Sequence, residues 1–177
     1  MEQLVMSRNG KEPDQVKFPD GYYMRSYIQG DGTGWCRCCI DGGLGVDEIS
    51  EELFKNKMLE DKNVNPENIF FLIAPDGNIA GTITYKYTND EDTGCIHMVA
   101  IEKSYRGRGL AKPLNLYAVE KIIGDGKKKI ILQTDDWRIP AIKTYLRVGF
   151  APVIKDGDTD MQKRWADIIM QVENKKT

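Results

Sequence analysis

Residues 95–116 read CIHMVAIEKSYRGRGLAKPLNL, and this stretch decides the fold. CIHMVAI (95–101) is short, apolar and bounded by polar residues, which predicts a buried strand. After YRGRGLAK, Leu110, Leu114, Tyr117, Ala118 and Ile122 recur at helical spacing and predict a helix over about 110–123, stopped by Gly124 and Gly126. A strand that feeds a glycine turn opening a helix leaves the amides from Gly107 to Lys112 without intrahelical partners. The helix dipole adds partial positive charge at the same place. Gly107 and Gly109 let the backbone turn tightly and come close to a ligand. With Arg106, Arg108 and Lys112 around it, the turn is a cradle for phosphate.

Two familiar phosphate loops are excluded. No G-x-x-x-x-G-K-[ST] is present, and Gly107-Arg108-Gly109 is followed by Leu110, Ala111 and Lys112, not by the third glycine of a dinucleotide loop. Twenty-five basic against 27 acidic side chains leave a net charge of −2, so the anion site is local and its ligand a small polyanion. Neither a nucleic acid nor a membrane is expected as a partner. The N-terminus lacks the apolar core of a signal peptide, and the longest apolar run, Ile69 to Ala74, is too short to span a bilayer. The four cysteines are therefore expected as free thiols in a reducing cytoplasm. Cys36, Cys38, Cys39 and the distant Cys95 lack zinc-ligand spacing, so no metal site is expected. Cys36, Cys39 and Ile40 can share one face of a short helix.

Outward from the loop, the chain of 177 residues is long enough for one domain, since a globule of this size buries roughly 70% of its extended surface. Residues 1–20 read as a loose lead-in and 21–177 as the domain. GYYMRSYI (21–28) predicts a strand, 34–41 a short helix, and 48–60 a second helix with Ile49, Leu53 and Met58 on one face. IFFLIA (69–74), Pro75-Asp76-Gly77 and IAGTITYKY (79–87) form a hairpin. KIILQT (129–134) is a buried-type strand, a helix starting between Asp136 and Pro140 runs to Val148, and FAPVI (150–154) is a last strand. Met161, Trp165, Ile168, Ile169 and Val172 predict a closing amphipathic helix over 160–173. The order β-α-α-β-β-β-α-β-α-β-α is mixed α/β.

Arg106-Gly107-Arg108-Gly109-Leu110-Ala111 after VAI (99–101) resembles the acyl-CoA-binding motif of the GNAT superfamily of N-acetyltransferases. AIKTYLRVGF (141–150) resembles that family's second motif, a helix carrying a tyrosine before a Gly-Phe strand entry. The resemblance covers residues 21–154 in element order and is motif-specific in 95–150. It implies a mostly antiparallel sheet with a splayed central parallel pair, here 95–101 and 129–134, and flanking helices. Acetyl-CoA is then the cosubstrate, and an amine of a small molecule or peptide attacks the thioester directly.

By position, the resemblance assigns the backbone of Val99 and Ile101 to pantetheine, with the Val99 amide facing the thioester carbonyl. It assigns the pyrophosphate to 107–112, namely Gly107, Arg108, Gly109, Leu110, Ala111 and Lys112, with Arg106 or Arg108 neutralising it. Tyr145 matches the tyrosine that hydrogen-bonds or protonates the leaving thiolate; its other reading is a core aromatic beside Ala141, Ile142 and Leu146. Arg138 stands where the family often has asparagine and would bind cofactor oxygens. The family usually ends in a strand where 160–173 scans as helix.

An amine of ordinary pKa needs a base. The family's glutamate position falls near Cys95, which does not serve at neutral pH. His97 is a candidate catalytic base, although simple alternation puts it on the apolar face of Val99 and Ile101. Asp135 and Asp136 are alternatives that could equally cap the following helix. Two rival readings remain: a non-catalytic acyl-CoA sensor or scaffold, and a nucleotide-binding module using the same helix N-terminus.

Overall fold

In the computed structural model, which describes residues 2–174, the chain runs β1 (Leu4–Asn9), β2 (Tyr23–Ser26), α1 (Gly32–Asp41), α2 (Glu51–Phe54), β3 (Val64–Ile73), β4 (Ile79–Tyr87), β5 (Thr93–Ile101), α3 (Ala111–Gly124), β6 (Lys129–Thr134), α4 (Ile139–Arg147), β7 (Ala151–Pro152) and α5 (Thr159–Asn174). The strands form one seven-stranded sheet in the order β2-β3-β4-β5-β6-β1-β7. Every pairing is antiparallel except β5 with β6.

Alternation along β3 shows how the sheet separates two cores. Phe70 and Leu72 join a cluster with Leu114, Val119 and Ile122 of α3, Ile142 and Tyr145 of α4, and Trp165 and Ile168 of α5. Ile69, Phe71 and Ile73 join the other cluster, with Trp35, Cys36 and Cys39 of α1, Phe54 of α2, and Met58. The closing helix expected from Met161, Trp165, Ile168 and Val172 is present, and those four side chains are its buried face.

Three expectations are corrected. Residues 1–20 are not a loose lead-in throughout, because Leu4–Asn9 inserts between β6 and β7. Leu4 and Met6 are fully buried there, and the three-residue apolar run Leu4-Val5-Met6 is too short a signal to mark a strand. The helix expected over 48–60 starts at Glu51, capped by the Ser50 hydroxyl accepting from the Leu53 amide, and continues through a π-helical turn at Lys55–Leu59. Ile49 lies before it and is exposed. In α1, Cys36 and Cys39 are buried as expected, but Ile40 is exposed and Trp35 and Cys38 are buried instead, so the buried face is shifted from the expected one.

The loop between β6 and α4 is fixed from the C-terminal helix. Arg164 donates from Nε and Nη2 to the two Asp136 carboxylate oxygens at 3.0 and 2.6 Å, and from Nη2 to the Glu2 carbonyl at 2.9 Å. This hydrogen-bonded pairing holds the Asp136 carboxyl below its ordinary pKa. Such stabilisation is complete above the ordinary carboxylate range and disappears as pH falls through the depressed value. The pair is partly exposed, so Arg164→Ala should cost about 1 kcal/mol near neutral pH. In thermal melts the gap to wild type should narrow as the pH is taken below about 4. A constant gap down to strong acid would show that the ion pair is not its source.

Candidate active site

β5 and β6 pair only from Thr93 with Lys129 to Ile96 with Leu132, although both strands run on. The cause lies in β5. Thr82 of β4 faces Ala100 while Thr84 faces His97, so β5 carries one extra residue, a bulge at Met98 with φ 51°. Beyond the bulge the two parallel strands are free to splay.

The opening holds two adjoining cavities. A groove of about 830 Å³ runs along Ile101, Arg106, Gly107, Gly109 and Lys112 on one side and Trp137, Arg138, Ala141 and Thr144 on the other. A chamber of about 350 Å³ is bordered by Cys95, His97, Gln133, Asp135, Gln3 and the loop Gly43–Gly45. Val99, Arg138 and Tyr145 line both, so they form the neck between them.

At the groove's far end the backbone N–H groups of residues 107–112 donate to no protein acceptor among the described residues. Gly107 and Gly109 both have φ 77°, and a Cβ on either would meet open space. Pro113 is the third residue of α3, where a missing N–H costs no helical bond. Arg106 donates from Nε to the Ile101 carbonyl at 3.0 Å and from Nη2 to the Asp41 carbonyl, which ties α1 to the loop. Arg108 departs from the expected cradle. Its guanidinium lies over the Tyr105 ring and donates to the Tyr22 hydroxyl at 3.1 Å and the Ser104 carbonyl at 3.0 Å, and its side chain does not border the groove. Leu110 and Ala111 border the groove, and Lys112 reaches Asp14 at 3.4 Å. Asn115, which sequence reading did not single out, also borders it; its Nδ2 donates to the Ala111 carbonyl, and its buried Oδ1 is unpartnered.

At the neck, Tyr145 is 5% exposed, its ring edge-on to Phe150 at 6.2 Å between centroids. Its ring belongs to the core, and the residue also borders both cavities. Burial pushes its phenol pKa up, and the nearby Arg138 guanidinium opposes this. Arg138 lies over the Trp137 ring at 5.3 Å and has no carboxylate partner among the described residues.

The bulge also corrects the reading of His97. Ile96, Val99 and Ile101 all pack against the α3 side of the sheet, whereas Met98 packs with the α1 and α2 cluster, so alternation breaks between 96 and 99. His97 therefore does not share their apolar face. It is half-buried, borders the chamber, and lies near Lys86 and Asp61, themselves paired at 2.5 Å. Burial lowers the imidazole pKa, Lys86 lowers it further and Asp61 opposes them. Neither Asp135 nor Asp136 caps α4: Asp135 accepts from Gln3 Nε2 at 3.0 Å, and Asp136 belongs to Arg164.

All four cysteines are free, and burial pushes the Cys38 thiol up to about 12. Among the described residues no cluster of three or more His, Cys, Asp or Glu is placed to hold a metal. No helix among them is long and apolar enough to cross a membrane.

Comparison with known proteins gives the family and the fold. Residues 26–150 match the profile described as "Acetyltransferase (GNAT) family". The mycothiol acetyltransferase of Streptomyces avermitilis is 24% identical over 146 residues, which are 80% of this chain and 47% of that protein. The N-acetylaspartate synthetase of Homo sapiens is 25% identical over 85 residues, 48% of this chain and 28% of that one. The chain thus spans about half the length, or less, of these curated relatives. A GCN5-related N-acetyltransferase from Sphaerobacter thermophilus superposes with a TM-score of 0.69 at 21% identity, covering 86% of this chain and 48% of that one. That likeness establishes the fold.

Proposed function

The chain belongs to the GNAT acetyltransferase family, and from that membership we propose that it moves an acetyl group from acetyl-CoA to an amine of a small molecule or peptide by direct attack on the thioester. One observation carries the proposal. The groove and the chamber meet at Val99, Arg138 and Tyr145, so a donor entering from one side and an acceptor entering from the other meet at a single neck.

Acetyl-CoA would supply the activated acetyl group, and the residues present suit it. The unpaired amides of 107–112 and the open space at Gly107 and Gly109 suit a pyrophosphate. Arg106 braces that loop and Lys112 adds charge beside it. The buried Oδ1 of Asn115 offers an acceptor in the groove wall. Beyond the pairing with β6, the backbone of Val99 and Ile101 would meet the amide groups of pantetheine, the Ile101 carbonyl already accepting from Arg106 Nε. The Val99 N–H would then stabilise charge developing on the thioester oxygen. Tyr145 would donate to the departing sulfur. Burial keeps its phenol protonated at neutral pH, as a donor must be. His97, held neutral by burial and by Lys86, would take the amine's proton within the chamber.

The relatives' names, which speak of mycothiol acetylation and N-acetylaspartate synthesis, support a small-molecule amine as acceptor. Four free thiols fit the reducing cytoplasm. The test is release of free CoA thiol from acetyl-CoA across a panel of amino acids, peptides and polyamines. Release that depends on one class of amine is expected. Tight acetyl-CoA binding with no amine-dependent release would favour a sensor instead.

Replacing His97 tests the base. His97→Ala should lower turnover by about tenfold, because water admitted to the chamber takes over part of the role. The neutral imidazole is the active form, so wild-type turnover should rise with pH through an inflection below the ordinary histidine value of about 6.5. The variant should lose that inflection and keep its melting temperature. A lower melting temperature with unchanged turnover and pH profile would make His97 a packing residue only.

A further inference from the structure

Trp137 sits where packing alone does not explain it. The other two tryptophans, Trp35 and Trp165, are 0% and 2% exposed, whereas Trp137 is 65% exposed. Its ring edge nevertheless has a defined seat. A Cβ built on Gly43 would lie 3.0 Å from Trp137 Cη2 and 3.8 Å from Cζ2. Gly43 has φ 63°, so both the backbone and the space at this seat require glycine. The seat is anchored to the end of α1, where the Gly43 amide donates to the Ile40 carbonyl and the Leu44 amide to the Cys39 carbonyl, both at 3.0 Å. On the other side the Arg138 guanidinium stacks on the indole, and Asp136 is held by Arg164. The indole therefore bridges two walls. Trp137 borders the groove and Gly43 the chamber, and the two cavities join at the neck between them.

We infer that Trp137 is a shielding residue: seated on Gly43, its indole roofs the neck and keeps water from the thioester while the acceptor amine attacks. The inference rests on the acetyl-transfer reading and adds a determinant of selectivity between amine and water. In the competing reaction a water oxygen attacks the thioester carbonyl. A C–O bond forms, the C–S bond breaks, and the sulfur leaves with a proton from that water. The products are acetate and free CoA. Closing a site against water is a recognised way of suppressing this loss.

Three readouts test it. Calorimetry with CoA reads the groove by itself. Acrylamide quenching of tryptophan emission reports on Trp137, since Trp35 and Trp165 are buried, with Trp137→Phe as the blank. Bound CoA should protect the quenchable fraction. The third readout is the ratio of acetyl-CoA hydrolysis to amine acetylation, which should rise about tenfold in Trp137→Ala. It should move the same way in Gly43→Ala, which dislodges the ring without removing it. A merely structural role would lower the melting temperature and leave that ratio alone. CoA binding with Trp137 still quenchable and an unchanged ratio in both variants overturns the shield and leaves the cofactor groove intact. No CoA binding overturns the groove assignment and the shield with it.

Discussion

Arg106→Ala combined with Gly109→Asp is expected to abolish CoA binding in calorimetry, a loss of at least about a thousandfold. Two independent causes act together. Gly109 has φ 77°, a conformation that an aspartate adopts only at a cost, and its carboxylate would enter the space facing the unpaired amides of 107–112. There it would compete with a pyrophosphate for the same donors and repel it. Removing Arg106 detaches the loop from the carbonyls of Ile101 and Asp41 and deletes a cation at the groove. Both changes lie at exposed positions, so the fold should survive. Arg108→Ala is the contrast: its guanidinium is committed to Tyr22, Ser104 and Tyr105, so CoA affinity should fall by no more than about threefold. Equal losses from the loop variant and from Arg108→Ala would contradict the geometry of the cradle. In wild type, binding should weaken as salt rises, because charge at an exposed loop is screened.

Tyr145→Phe is expected to lower kcat by about a hundredfold while CoA affinity stays within about threefold. The ring, its edge-on contact with Phe150 and its place in the core are kept; only the hydroxyl is lost. A donor aimed at a departing sulfur matters most when thiolate charge develops, so its benefit belongs to the transition state. Single-turnover kinetics with saturating acetyl-CoA separates the alternatives. Loss of stability and binding with turnover per bound complex unchanged would make Tyr145 a core aromatic alone.

Much of this was legible from residues 95–134, where each signal is local. The strand at 95–101, the glycine turn and the stripe of α3 can each be read within one window. The helical face of α5 is equally plain, because Met161, Trp165, Ile168 and Val172 repeat through the whole helix. What was not legible depends on partners distant in sequence. Leu4 and Met6 mark a strand only once β6 is there to cover them, since two inward side chains carry little pattern. The bulge at Met98 has no glycine or proline to announce it, yet it moves His97 off the apolar face of Val99 and Ile101. The direction of Arg108 is set by Tyr22, far away in the chain. Residues 43–45 fall between the helices expected over 34–41 and 48–60; their role as the chamber wall beneath Trp137 appears only when α1 packs against β5.

On the proposed function, the gap between β5 and β6 holds the donor with its thioester at the neck. A crystal structure of the protein with CoA tests it most directly. We expect the pyrophosphate on the amides of 107–112, the pantetheine arm beside the backbone of Val99 and Ile101, and the sulfur within hydrogen-bond reach of the Tyr145 hydroxyl. CoA bound elsewhere, or bound with its sulfur away from the neck formed by Val99, Arg138 and Tyr145, would contradict it.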